Sequence, residues 1–159
     1  MYDFPISPRG PYRWGGAAIG SPFCREGKTI VSNTPVISVV DDDASVRVGT
    51  ENLLSSLGYA VHTFASAEEF LRSAHINDVS CLIADVRMPG MSGIELQTLL
   101  LTQGYRAPFI FITAFSEETV RAQALTAGAI CFLTKPFDRL TLIKCLDSAL
   151  ERHAAEPAN

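Results

Sequence analysis

Short apolar runs and longer amphipathic segments alternate along the chain from residue 35 to residue 152. Each apolar run is bounded by polar or turn residues, a pattern that predicts a buried strand. Between the runs, apolar residues recur at helical spacing, and Gly58, Gly104 and Gly128 supply stop signals for the helices. The predicted strands span 36–40, 59–64, 81–84, 108–112 and 130–133.

The predicted helices begin at polar residues that can cap them. These capping residues are Asp43, Ser66, Ser116 and Asp138. Short strands without polar alternation, each followed by a helix, are typical of a parallel sheet with helices on both faces. The pattern predicts a doubly wound (βα)5 α/β domain with right-handed crossovers. Its helices span 44–57, a short segment after Ser66, 93–102, a segment after Ser116 that runs through Ala127, and a last segment after Asp138.

Polar side chains follow four of the five predicted strands. Strand one ends at Asp41–Asp43, strand three at Asp85, strand four at Thr113 and strand five at Lys135, whereas strand two ends without a charge. Ligands of open α/β sheets bind beyond the carboxyl ends of the strands, where the strand order reverses. An order of 2-1-3-4-5 puts strand two at an edge, away from that crevice. The position of the polar strand ends therefore favours this order.

The residues at these strand ends favour phosphoryl transfer onto an aspartate. Converging carboxylates cannot all stay ionised at low cost without a cation, and hard oxygen ligands suit Mg²⁺. A lysine and a hydroxyl can stabilise phosphoryl oxygens while an aspartate acts as the nucleophile. Singly, Asp43 is an ordinary helix cap, Thr113 an ordinary strand residue and Lys135 an ordinary surface charge. Their common location at one sheet edge is what indicates a site.

Composition narrows the choice of partners. The chain has 159 residues, of which 47% are hydrophobic, and a formal net charge of −4. Residues 1–34 carry a net charge of +2 and the remainder −6, without a cluster of Lys and Arg, so we expect no direct binding of nucleic acid. No apolar stretch approaches the roughly 18 residues that span a bilayer, so no membrane association is expected.

Three segments are expected along the chain. Residues 1–34 are rich in Pro and Gly, show no periodicity and are predicted to be a flexible extension, although a start codon near Thr34 is an alternative. Residues 35–152 form the domain and residues 153–159 a tail. The four cysteines show no metal-ligand spacing, and reduced thiols in the cytoplasm are the expected state. They are Cys24, Cys81, Cys131 and Cys145.

Four motifs in order, "VVDDDASVR", "LIADVRMPGMSGIEL", "FITAF" and "TKPF", resemble those of a response-regulator receiver domain of two-component signalling, most like the FixJ-type subgroup. The resemblance covers about residues 35–152 and implies a flavodoxin-like receiver fold. It implies that Asp85 accepts a phosphoryl group from a phosphohistidine. It also implies a Mg²⁺ site formed by Asp42, by Asp41 through water, by Asp85 and by the backbone carbonyl of Arg87.

The resemblance implies further roles around the acceptor. Lys135, which would precede a cis peptide bond, would pair with the phosphoryl group, and Thr113 would hydrogen-bond to it. Phe132 would be an aromatic switch that turns inward when Thr113 shifts. Arg87 and Phe115 flank the acceptor, where their bulk is expected to restrict water and lengthen the phosphoryl lifetime.

The partners implied are a sensor histidine kinase or phosphotransfer protein and a downstream protein effector. The effector would bind the surface of helix four, strand five and helix five, about residues 116–150. A phosphorylation-dependent homodimer is a further possibility. FixJ-type regulators normally continue into a helix-turn-helix domain, whereas this chain ends at Asn159. A stand-alone receiver and a fragment of a longer regulator are both open.

Two other functions compete with a non-enzymatic, phospho-accepting receiver. One is a phosphatase of haloacid-dehalogenase type, with Asp41 as nucleophile and Asp43 as acid. That family needs a second acidic motif after the lysine. In this chain the only candidate acid at a strand end is Asp85, and it precedes Thr113. The other is a receiver fold that is never phosphorylated and serves only as an interaction module. The complete set of Asp, Thr and Lys residues argues against that reading.

Overall fold

The computed structural model describes residues 34–155, which form a five-stranded parallel sheet with helices on both faces. The predicted extension lies outside these residues except for Thr34, and so do residues 156–159. The strand order is β2-β1-β3-β4-β5, as predicted, with every neighbouring pair parallel. The strands are β1 Val36–Val40, β2 Ala60–Phe64, β3 Cys81–Asp85, β4 Phe109–Thr113 and β5 Cys131–Thr134.

The helices connect consecutive strands and close the chain. A short 3₁₀ turn at Ile76–Asp78 precedes β3, and α5 continues through Ala155, so it includes three residues that were assigned to the tail. Among residues 34–155 no helix has both the length and the apolar character needed to cross a membrane. The helices are α1 Ala44–Ser56, α2 Ala67–Leu71, α3 Gly93–Thr102, α4 Glu118–Thr126 and α5 Arg139–Ala155.

Three of the four predicted caps are confirmed. The side chains of Asp43, Ser66 and Asp138 accept hydrogen bonds from backbone N–H groups in the first turns of α1, α2 and α5. The prediction for Ser116 was wrong, because α4 begins at Glu118 and Glu117 is its N-cap without a side-chain cap bond. The chain is still in the turn that follows β4 at this point, so the helix starts one residue later than the predicted cap implied.

The sheet separates two hydrophobic clusters. On one face, Phe111 packs with Leu96 of α3 and Ala124 of α4. On the other, Ile110 packs with residues of α1 and α5, including Leu146. Successive strand residues point to opposite faces, so both faces are apolar and the strands carry no polar alternation. The charged residues of the site therefore lie at the carboxyl ends of the strands, and Ser38 is a buried polar residue inside β1.

The cysteines depart from the sequence prediction. Cys131 of β5 and Cys145 of α5 form a disulfide, so the expectation of reduced thiols was wrong for this pair. Both cysteines belong to the hydrophobic cluster beneath α5, and their Cα atoms lie 6.1 Å apart, which is within the usual range for a disulfide. Cys81 is a buried thiol in β3, and burial raises its pKa. Cys24 lies outside the described residues.

Candidate functional site

Three carboxylates converge at the carboxyl edge of the sheet. β1 and β3 pair in parallel with Val40 opposite Ala84, so the next residues, Asp41 and Asp85, emerge side by side. Asp42 follows in the same loop, and one carboxylate oxygen from each of the three residues lies within 4.8 Å of the others. The structure thus brings together the acidic residues that the sequence predicted at this edge.

The three carboxylates differ in burial. Asp41 is completely buried, Asp85 is 5% exposed and Asp42 is exposed. Burial raises the pKa of Asp85, and the nearby Asp41 raises it further, while Lys135 acts in the opposite direction. The fold therefore holds a negative charge at Asp85 at an energetic cost. Such a perturbed group in a crevice is a common mark of a functional residue.

Lys135 joins the two buried carboxylates. Its Nζ lies 2.9 Å from Oδ2 of Asp41 and 3.2 Å from Oδ2 of Asp85. Burial lowers the pKa of Lys135, but the hydrogen bonds and charges of the two carboxylates outweigh this effect and raise it. The Lys135–Pro136 peptide bond is cis, as the resemblance implied. Lys135 is thus a fixed cation shared by both acids.

Thr113 ends β4 beside the carboxylates and is completely buried. Its hydroxyl donates a hydrogen bond to the Phe115 carbonyl oxygen at 3.1 Å and accepts one from the Phe115 N–H at 3.2 Å. The hydroxyl must give up the carbonyl to donate to another group. Phe132 is partly buried, with its ring 6.3 Å from that of Phe111. Both residues therefore lie where the sequence placed them, and their predicted movement stays a prediction.

The loop after Asp85 is held by contacts that the sequence did not indicate. The Arg87 N–H donates to Oδ1 of Asp85 at 3.3 Å, and Glu68 of α2 accepts a hydrogen bond from the Met91 N–H at 3.0 Å. A side chain at Gly93 would collide with the backbone carbonyl of Asp85, so this close approach requires glycine. Only Gly93 could have been suspected from the motif, because Glu68 is distant in sequence.

A second group of residues lies at the edge of the site. Nη2 of Arg87 is 2.6 Å from Oε2 of Glu117, and its Cζ is 5.4 Å from the centroid of the Phe115 ring. The sequence predicted that Arg87 and Phe115 flank the acceptor, and the structure stacks them on each other. Glu117 was not among the predicted site residues, because it lies 30 residues from Arg87 in the sequence.

The geometry disfavours the phosphatase reading. Asp43, which would be its acid, accepts the Ser45 N–H at 2.9 Å as the cap of α1. Asp41, which would be its nucleophile, is completely buried, and its Oδ1 accepts the Asp43 N–H at 2.8 Å. Asp85 is the carboxylate that retains some exposure and contacts the lysine, so it is the better candidate for reaction.

Comparison with known proteins decides the family. The family model for the response regulator receiver domain matches residues 37–147, which include every strand end described above. This chain belongs to that family. Response regulator receiver domains act in two-component systems through phosphorylation, so the receiver domain described here is a signalling domain of that kind.

Individual relatives agree. The response regulator protein TodT of Pseudomonas putida is 36% identical over 150 residues, which cover 94% of this chain and 66% of TodT. The solved structure of the response regulator StyR has a TM-score of 0.71 and 45% identity, and the match covers 76% of this chain and 61% of that one. That of FixJ-N has a TM-score of 0.68 and 34% identity, and the match covers 79% and 98%. The chain spans about two thirds of the length of TodT. It spans a smaller share of other curated relatives that it matches.

The donor atoms of the site fit a Mg²⁺ ion. Asp41, Asp42 and Asp85 offer hard carboxylate oxygens within a space of 4.8 Å, and Asp42 faces solvent. Mg²⁺ prefers such ligands and keeps several of its waters. An acidic pocket of this kind is the feature with which receiver domains bind Mg²⁺.

Proposed function

We propose that this receiver domain accepts a phosphoryl group on Asp85 from a phosphohistidine of a sensor kinase or phosphotransfer protein. A carboxylate oxygen of Asp85 attacks phosphorus and forms a P–O bond while the P–N bond breaks. The bonding electron pair leaves with the imidazole, which takes up a proton. The product is an acyl phosphate on this chain and an unmodified histidine on the partner.

The observation that carries this proposal is the position of Lys135 between Asp41 and Asp85. Its ammonium group is already within hydrogen-bonding distance of Asp85, so it can stay beside the acceptor when the charge there increases. Asp41, Asp42, Asp85 and the backbone carbonyl of Arg87 would hold Mg²⁺. When bound, the ion neutralises negative charge on the phosphoryl oxygens. Thr113 would then exchange the Phe115 carbonyl for a phosphoryl oxygen.

The signal would pass from Thr113 to the surface of α4, β5 and α5. Phe132 lies in β5 and contacts the cluster beneath α4, so an inward turn of its ring would change this surface. The recipient would be a protein effector or a second copy of this receiver domain, without direct contact with nucleic acid. The domain would thus act in the cytoplasm as a switch rather than as an enzyme.

Mass spectrometry of the intact protein tests the acceptor directly. The protein is incubated with acetyl phosphate and Mg²⁺, and the gain of one phosphoryl group is followed over time. We expect the adduct in the unsubstituted protein, and no adduct in Asp85→Asn or in the presence of EDTA. The control is Asp147→Asn, because Asp147 is an exposed aspartate on α5 and its loss should not matter.

Two results would overturn the assignment. An adduct that persists in Asp85→Asn but is lost in Asp41→Asn would move the nucleophile to Asp41 and revive the phosphatase reading. No adduct, combined with no binding of beryllofluoride in the presence of Mg²⁺, would favour the silent interaction module. Beryllofluoride is used in this second step because it mimics a phosphoryl group without needing a donor.

A further inference from the structure

Arg87 links the acceptor loop to the beginning of α4. Its backbone N–H donates to Asp85, while its guanidinium is paired with Glu117, which is 30 residues away at the N-cap of α4. The side chains are half exposed, at 54% for Arg87 and 50% for Glu117. The guanidinium also lies over Phe115. One cation therefore sits two residues from the acceptor and is held by a carboxylate on the helix of the output surface.

A phosphoryl group would compete with Glu117 for this cation. Phosphorylation adds roughly −1.5 to −2 charges and three acceptor oxygens, against the single charge of a carboxylate. A guanidinium can donate two parallel hydrogen bonds to phosphate, and charge-assisted bonds of this kind are strong. Lys135 is already engaged by Asp41 and Asp85 and does not contact Glu117. Arg87 is therefore the cation whose partner can change.

We propose that Arg87 exchanges partners on phosphorylation, leaving Glu117 for the phosphoryl group on Asp85 and so releasing the N-terminus of α4. The inference rests on the proposed function of Asp85. Phe115 provides an aromatic face on which the guanidinium can turn while it keeps its cation–π contact. Before phosphorylation, Glu117 competes for Arg87 and weakens binding of the phosphoryl group. Glu117 thus acts as a positioning residue that holds Arg87 before phosphorylation and opposes the change of partner.

The test is a double-mutant cycle on the affinity for beryllofluoride, measured by calorimetry in the presence of Mg²⁺. Glu117→Gln should tighten binding by about two- to five-fold, the range expected for one exposed ion pair. Arg87→Ala should weaken it, and adding Glu117→Gln to Arg87→Ala should change nothing further. Glu118→Gln is the matched control, because Glu118 is the next residue and pairs with Arg121 instead.

A second readout follows α4 without any ligand. In Glu117→Gln alone, the amide NMR signals of residues 118–121 should move toward the positions that they take in the unsubstituted protein with beryllofluoride bound. High salt should reduce the difference in affinity between Glu117→Gln and the unsubstituted protein, since an exposed ion pair is screened.

Three results would overturn the exchange. Glu117→Gln could leave the affinity unchanged, or tighten it equally in the Arg87→Ala background, or act no differently from Glu118→Gln. The last two would reveal a general effect of charge. Failure of the proposed function has a different signature, because the unsubstituted protein would then bind no beryllofluoride or would bind it equally well as Asp85→Asn.

Discussion

Replacing Lys135 with methionine removes the cation shared by the two buried acids at similar side-chain volume. With an effective dielectric constant near 20, an ion pair at about 3 Å is worth roughly 5 kcal/mol before the cost of desolvation. Lys135 forms two such pairs, at 2.9 and 3.2 Å, and its side chain is 17% exposed. Breaking a buried pair by removing one partner costs about 3–5 kcal/mol. Because some exposure remains, we expect Lys135→Met to lower the free energy of unfolding by about 3 kcal/mol.

Urea unfolding at pH 8, with and without Mg²⁺, measures this effect. Lys144→Met is the control, because Lys144 is an exposed lysine on α5 and its replacement should cost little. Mg²⁺ should restore part of the stability lost in Lys135→Met, since a second source of positive charge relieves the repulsion between Asp41 and Asp85. Both expectations follow from charge alone and need no phosphoryl donor.

The electrostatic account would be refuted if Lys135→Met were as stable as the control variant. It would also be refuted if Mg²⁺ stabilised Lys135→Met less than it stabilises the unsubstituted protein. In either case Lys135 would contribute little to stability, and another group would have to balance the charge of the carboxylates.

Three further predictions concern the framework of the site. In urea unfolding, Gly93→Ala should destabilise the domain by about 1–3 kcal/mol, because the added methyl group collides with the backbone carbonyl of Asp85. The control is Gly49→Ala in α1, where a side chain meets open space, and it should be neutral or stabilising. Reduction of the disulfide should lower the free energy of unfolding by about 3 kcal/mol, as expected for cysteines 14 residues apart. The same reductant should not change the free energy of unfolding of Cys145→Ser, which has no disulfide to reduce. Burial and the charge of the stacked His75 lower the pKa of His62. Below about pH 6.5 the unfolded chain therefore binds more protons at His62 than the folded chain does, so the midpoint of thermal unfolding should fall as the pH drops. The fall should be smaller in His75→Gln, because the charge of His75 no longer lowers the pKa of His62.

The sheet and the main site were predictable because each depends on short-range pattern. Apolar runs of four or five residues specify buried parallel strands, and the carboxyl ends of such strands share one edge. The sequence alone therefore predicts that Asp41, Asp85, Thr113 and Lys135 lie together. The strand order followed from the uncharged end of β2, and the structure has that order.

Contacts between distant segments were not predictable in this way. The start of α4 depends on how the chain turns after Thr113, and its sequence carries several residues that could cap a helix. The disulfide arises because one cysteine of β5 and one of α5 face each other across a packed interface. The spacing of cysteines along the chain carries no information about that interface.

The sequence by itself determined the elements, their layering and the residues at the reactive edge, since hydrophobic periodicity and strand-end chemistry are local properties. Tertiary structure alone decided which charges meet. It placed Lys135 between two acids, Glu68 against the acceptor loop and Glu117 against Arg87. These pairings depend on distances of a few ångströms between side chains far apart in the chain, and only the packed fold sets those distances.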